Sequence, residues 1–174
     1  MAIHLARLWH EIVLVMLAAA VSGHAVAQDL PSGTVANRIV VEKGARTLSV
    51  FRGSVLLKTY KVALGPNPKG HKEREGDGRT PEGIYTIDSR KRDSAFHRAL
   101  HISYPNAEDR RNARRRRVSP GGDIMIHGLP NGMGATGKAH LLRDWTNGCI
   151  AVTNDEIEEL WRVIPNGAHI EIKP

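Results

Sequence analysis

Cys149 is the only cysteine in the 174-residue chain, in the segment Asp144-Trp145-Thr146-Asn147-Gly148-Cys149-Ile150-Ala151-Val152. A glycine directly before the sulfur and an apolar run after it suit a thiol held at the start of a strand. His127 lies 22 positions upstream, at the end of Ile124-Met125-Ile126-His127 and just before Gly128. If the two apolar runs lie side by side in a sheet, the imidazole comes within reach of the sulfur. Such a pair can do nucleophilic acyl chemistry. A free thiol, with a pKa near ~8.5, is only slightly ionised at neutral pH. An adjacent imidazole can take its proton and later hand it to a leaving amine. Gly148 leaves room for a substrate carbonyl, and the N–H groups of Gly148 and Cys149 could hold the oxyanion, at about 3 kcal/mol per donor. The competing reading of the same residues is an inert buried cysteine. Alkylation separates catalysis from binding without turnover: a Cys149 thiol no more reactive at neutral pH than a free model thiol would favour binding only.

The elements that must position this pair read mainly as short strands. Arg38-Ile39-Val40-Val41 and Leu48-Ser49-Val50-Phe51 are β-branched or alternating runs, and Arg52-Gly53-Ser54 turns into Val55 to Leu64, which predicts an early meander. Gly65 to Asp77 reads as a loop. Gly83 to Ile87, Leu100 to Tyr104 and Asp123 to His127 continue the strand pattern. One helix is well specified: Thr153 with Glu156 forms a capping box, and Ile157, Leu160, Trp161 and Ile164 recur at helical spacing, which places Trp161 in the core. Pro165 stops it, and His169-Ile170-Glu171-Ile172 alternates as a last strand. The pattern predicts a mainly β fold, a sandwich or partly closed barrel with few helices.

Residues 1–27 read as a cleaved signal peptide. A weakly basic start at Arg7 precedes the apolar run Ile12 to Val21, and Ala25-Val26-Ala27 is an A-x-A site ahead of Gln28. The run is short of the ~20 apolar residues a membrane span needs, so no span is expected after cleavage. Residues 28–37 read as a linker and 38–174 as one domain. An exported chain with a single thiol cannot use it for an intramolecular disulfide. The formal charge is +7, from 25 Lys+Arg against 18 Asp+Glu. Aromatics are only 5%, too few for a stacking platform, so a nucleic-acid partner is not expected; a polyanionic envelope suits the charge better. Six arginines, Arg110, Arg111 and Arg114 to Arg117, fall in one stretch that could form a polar helix over 106–117. It reads as a solvated face, with electrostatic guidance of an anionic substrate as the sharper alternative.

The segments Ile126-His127-Gly128 and Thr146-Asn147-Gly148-Cys149-Ile150 resemble the paired signature of the L,D-transpeptidase (YkuD-like) catalytic domain. Gly76-Asp77-Gly78-Arg79-Thr80-Pro81-Glu82-Gly83 is similar to the stretch that precedes a strand in that family. The likeness runs from about Arg38 to the C-terminus. It implies a β-sandwich with Cys149 as nucleophile, His127 as general base and acid, the Gly128 carbonyl orienting the imidazole, and backbone N–H groups at Gly148 and Cys149 as oxyanion donors. Asp144, Trp145, Thr146 and Asn147 are the candidate substrate-contacting residues, with turn and core anchoring the alternative for Asp144 and Trp145. The chain departs from the pattern at Asn147, where the family usually has a second histidine, and at Ala151, where it often has Arg or Asn. The wording around Cys149 resembles the YafK-type branch, which includes murein amidases as well as transpeptidases. The implied reaction is two-step acyl transfer on peptidoglycan stem peptides through a thioester at Cys149. The alternative is hydrolysis of the same bond, for example to release a linked lipoprotein. No metal or organic cofactor is implied.

Two other classes compete. His97 and His101 are four apart, which on a helix would suit a zinc pair, but Arg98 stands where the glutamate of such a motif belongs and the region reads partly as strand. His101 and His140 read as polar wall residues. A non-catalytic cell-wall binding module is the second, and the intact His127–Cys149 pair argues against it.

Overall fold

The computed structural model describes residues 29–174, so the signal peptide expected over 1–27 and the start at Gln28 lie outside the described residues. Eight strands run β1 (Arg38–Glu42), β2 (Thr47–Arg52), β3 (Val55–Lys61), β4 (Gly83–Ser94), β5 (His97–Ile102), β6 (Met125–His127), β7 (Ile150–Ala151) and β8 (His169–Lys173). Two α-helices, α1 (Ala107–Arg116) and α2 (Asn154–Val163), interrupt them, together with 3₁₀ turns over Gly134–Leu142 kinked at Gly137.

The strand order is β3-β2-β1-β8-β4-β5-β6-β7. β1, β2 and β3 form the expected antiparallel meander, whereas β8 returns parallel to β1. β4 is long enough to serve two layers: Gly83 to Thr86 pair with β8, and its later part, from Ile87, pairs with β5. The sheet then closes on itself. Just past β3, Ala63 and Ala151 exchange both backbone hydrogen bonds, at 3.0 and 2.9 Å. The result is the mainly β, partly closed barrel expected from the alternation.

Alternating residues of these strands fill the interior: Ile39, Val41, Leu48, Val50, Ile87, Leu100, Ile126, Ile150, Ile170 and Ile172 are almost fully buried. Burial of such side chains contributes about 1.5–3 kcal/mol each and is the main favourable term. α2 begins at the Thr153–Glu156 capping box and lays Ile157, Leu160 and Val163 onto β5 and β6. Trp161, expected in the core, is instead half-buried at its edge, under the Arg90 guanidinium at 4.2 Å. The segment before β1, expected as a linker, is strapped to α2. There Ala36 N–H donates to Val163 at 2.8 Å, Arg162 to Leu30 at 3.0 Å, and Leu30 N–H to the Glu159 carboxylate.

The arginine-rich stretch is α1, capped by Asn106 and Asp109. Asp109 faces inward, accepting from Tyr85 Oη at 3.1 Å and lying 3.1 Å from His71 Nε2. All six arginines are exposed, and Arg116 in the last turn pairs with Glu73.

Candidate active site

β6 and β7 are parallel neighbours, with Ile126 opposite Ile150 and His127 opposite Ala151. That register continues one residue back to place Cys149 opposite Met125. Side chains alternate along a strand, so Ile126 and Ile150 go to the core while Met125, His127 and Cys149 share the other face. Thiol and imidazole are diagonal neighbours on adjacent strands.

The imidazole is tightly held. His127 Nδ1 is 2.7 Å from the Gly128 carbonyl, which can only accept, so Nδ1 carries the hydrogen. A neutral His127 therefore presents Nε2 as a lone pair, the state a general base requires. Phe96 packs on the ring at 4.5 Å and Trp145 edge-on at 5.8 Å. Burial pushes the His127 pKa below its ordinary value, more than the Gly128 bond raises it. Burial likewise pushes the Cys149 thiol up, countered by the Met125 N–H and, more remotely, by Lys72. Both groups are thus neutral in the resting site. Burial without a charge partner disfavours a standing thiolate, so reactivity of Cys149 has to come from proton transfer to His127. The thiol instead donates to the Asp123 carbonyl at 3.4 Å, in a turn where Asp123 adopts φ 52°.

The turn carrying Cys149 is held from three sides. Thr146 N–H donates to Leu64 at 3.0 Å, and its hydroxyl donates to the Cys149 carbonyl at 2.8 Å. Gly148 has φ +116° and is packed so closely on Arg79 that a Cβ there would overlap the Arg79 carbonyl oxygen. Only glycine meets both demands. The Gly148 N–H, expected as an oxyanion donor, bonds the Thr146 hydroxyl at 3.2 Å instead, because the tight turn aims it back along the chain. The Cys149 N–H takes no hydrogen bond among the described residues.

Of the four candidate substrate contacts, Thr146 is buried and structural, while Asn147 is exposed beside the thiol. Asp144 is an anchor. Its carboxylate accepts from Leu64 N–H at 2.9 Å and from Arg46 at 2.7 Å, tying the turn to the end of β3 and the β1–β2 connection, so it is not available to substrate. Trp145 stands between His127 and an apolar cavity of about 400 Å³ that Leu129, Met133 and His140 also line. His97 and His101 lie on β5, not a helix, about 13 Å apart at strand spacing. Each meets a carboxylate, Glu158 at 2.7 Å and Asp88 at 2.6 Å, so they make no chelating pair. Phe96, Asp123 and Arg79 at the site had no local sequence signal, except that Arg79 sits in the Gly-Asp-Gly-Arg stretch.

A family model described as the L,D-transpeptidase catalytic domain (YkuD) matches residues 36–172. YafK of Escherichia coli (strain K12) is 31% identical over 142 residues, covering 79% of this chain and 50% of that protein. The chain thus spans about half the length of this relative. Among solved structures, Pgp2 of Campylobacter jejuni, a helical cell shape determining protein, superposes with TM-score 0.58 at 21% identity, over 84% of this chain and 51% of that one. Bd1075 of Bdellovibrio bacteriovorus does so with TM-score 0.54 at 26% identity, over 83% and 49%. An L,D-transpeptidase from Mycobacterium smegmatis gives TM-score 0.52 at 14% identity, over 80% and 59%. These structures share the fold, and the family match covers the strands that carry His127 and Cys149: the chain belongs to the L,D-transpeptidase catalytic domain family.

Proposed function

We propose that this protein is an exported cysteine acyltransferase acting on peptidoglycan stem peptides, in the periplasm or at the cell wall. The observation that carries the reading is the parallel β6–β7 pairing, which sets Cys149 and an Nδ1-protonated His127 on one face. Membership of the L,D-transpeptidase family and the cell-shape role of the structural neighbour Pgp2 support the substrate class.

Because both groups rest neutral, the proton moves as the carbonyl is attacked. His127 Nε2 takes it from the thiol while the sulfur bonds to the carbonyl carbon of the third stem residue. The oxyanion forms beside the Cys149 N–H, the donor left after Gly148 is committed to Thr146. The C–N bond then breaks, and His127 Nε2 returns the proton to the departing amine, leaving a thioester on Cys149. An incoming amine reverses these steps and makes a new amide. Water at the same position would hydrolyse the thioester.

The test is mass analysis after incubation with a tetrapeptide ending in D-Ala, with and without an amine acceptor. We expect an acyl adduct on Cys149 and a new amide product, both lost in Cys149→Ala. Product formation unchanged in Cys149→Ala, or no adduct and no product from a folded wild type, would refute the reading. A free tripeptide acid as the sole product would make the protein a hydrolase on the same bond.

A further inference from the structure

Arg79 faces two ways. Its carbonyl supports Gly148, and its side chain lines a cleft of about 950 Å³ between the loop over residues 66–79 and the last turn of α1. Four cations line this cleft, Lys69, Arg74, Arg79 and Arg116, against two carboxylates, Glu73 and Asp77. Asp77 is fully committed: one oxygen accepts from Lys72 Nζ at 2.8 Å and Arg79 N–H at 3.0 Å, the other from the N–H groups of Glu73 at 2.8 Å and Arg74 at 3.1 Å. Those bonds also fix the loop, so the cationic groups project from a rigid frame. Glu73 is shared between the Arg116 and Arg79 guanidiniums, the latter at 3.8 Å. Lys69 and Arg74 are exposed and make no ion pair among the described residues.

A concave surface with surplus positive charge focuses potential on anions. Guanidinium groups bind carboxylates in a planar, two-pronged geometry. One oxygen of Glu73 sits between Arg79 and Arg116, so their spacing admits a carboxylate oxygen, and a donor's carboxylate would take the place of Glu73 there. We propose that this cleft is a carboxylate subsite for the acyl donor, with Arg79 and Arg116 gripping an acidic group of the peptide while the scissile carbonyl lies over Cys149. The proposal rests on the acyl-transfer reading above and adds to it where the donor's charge is recognised. Because Arg79 supports the nucleophile's turn through its backbone, a donor gripped by its side chain is registered directly against Cys149.

The experiment compares L-Ala-γ-D-Glu-meso-diaminopimelyl-D-Ala with the same peptide carrying amidated carboxyl groups. kcat/KM is measured on wild type, Arg79→Gln, Arg116→Gln and the double variant, and binding to Cys149→Ser is followed by calorimetry. Wild type should prefer the acid peptide by about tenfold or more, the range of a charge-assisted contact, and the double variant should lose that preference. Binding to Cys149→Ser should weaken with added salt. Arg79→Lys, which keeps the charge but not the fork, should recover part of the preference. A preference absent from wild type, or intact in a folded double variant, overturns the subsite while leaving acyl transfer standing. Salt-sensitive, arginine-dependent binding without turnover by wild type supports the subsite and removes the acyl-transfer reading instead.

Discussion

Replacing Asp77 by asparagine removes the charge that holds the loop over residues 66–79 together, the loop whose Arg79 packs on Gly148. The Asp77 side chain is 8% exposed and its partner Lys72 is 3% exposed, so solvent does little to screen the pair. Burial alone would raise the carboxyl pKa, but the Lys72 ammonium and three backbone N–H groups outweigh it and hold the value at about 2, against an ordinary 3.8. A difference of nearly two units corresponds to about 2 kcal/mol of stability at pH 7. For a depressed acid the sign is fixed. The contribution is complete above the unfolded value of 3.8 and is lost as the pH falls toward 2, with about half remaining at pH 3. In a domain of this size the loss should lower Tm by about 4–8 °C. Thermal unfolding of wild type and Asp77→Asn at pH 7 and pH 3 checks both parts. The gap should be clear at pH 7 and roughly halve at pH 3. Equal Tm values at pH 7, or a gap that ignores pH, would refute the assignment of Asp77 as the loop's anchor.

Gly148→Ala combines backbone strain of about 1–3 kcal/mol with overlap on the Arg79 carbonyl, and should cost about 3 kcal/mol or more in urea unfolding; a loss under about 1 kcal/mol would contradict the packing. If the neutral pair is the working form, Cys149 acylation should stay level through pH 7. Its acid limb should be centred below the ordinary histidine value of 6.5, because burial lowers the His127 pKa, and a midpoint at or above 6.5 would count against this. Lys43, 1% exposed, donates to Gly70 and Thr80 carbonyls at 2.6 and 2.9 Å and to Glu82 at 2.8 Å. Lys43→Met strands these acceptors and should cost about 3–5 kcal/mol; a calorimetric Tm equal to wild type would show the network to be dispensable.

What the sequence disclosed was local chemistry. The Thr153–Glu156 box, the period of Ile157, Leu160 and Ile164, and the two apolar runs ending at His127 and starting at Cys149 were legible because each signal lies within a few residues. The return of β8 beside β1 was not, since parallel pairing carries no turn signature. The strand pattern is readable only from Gly83 to Ile87, yet the polar residues up to Ser94 continue β4, mostly exposed and paired to β5 through a bulged register. Asp144 stayed open between substrate contact and turn anchoring, because in the sequence only its place near Cys149 is visible. Its true partner, Arg46, is 98 residues away. Lys43 and Asp77 escaped for the same reason: a buried charge is identified by its partners, and those are set by the fold.

β7 has only two residues, too short to hold a nucleophile by itself. It is fixed because the barrel closes there: β6 lies on one side, Ala63 on the other, Thr146 is bonded to Leu64, and Gly148 rests on Arg79. The same enclosure that fixes the backbone desolvates the thiol and imidazole and leaves both uncharged. A site of this kind cannot rely on a standing thiolate. On the proposed acyl-transfer reading it depends on geometry at the moment of attack, when the proton now shared with the Asp123 carbonyl has to pass to Nε2 instead. On that reading, acylation depends on a carbonyl arriving in register with the sulfur. For this reason the residues that orient the donor, above all Arg79, should govern kcat/KM more strongly than any group that tunes the thiol pKa.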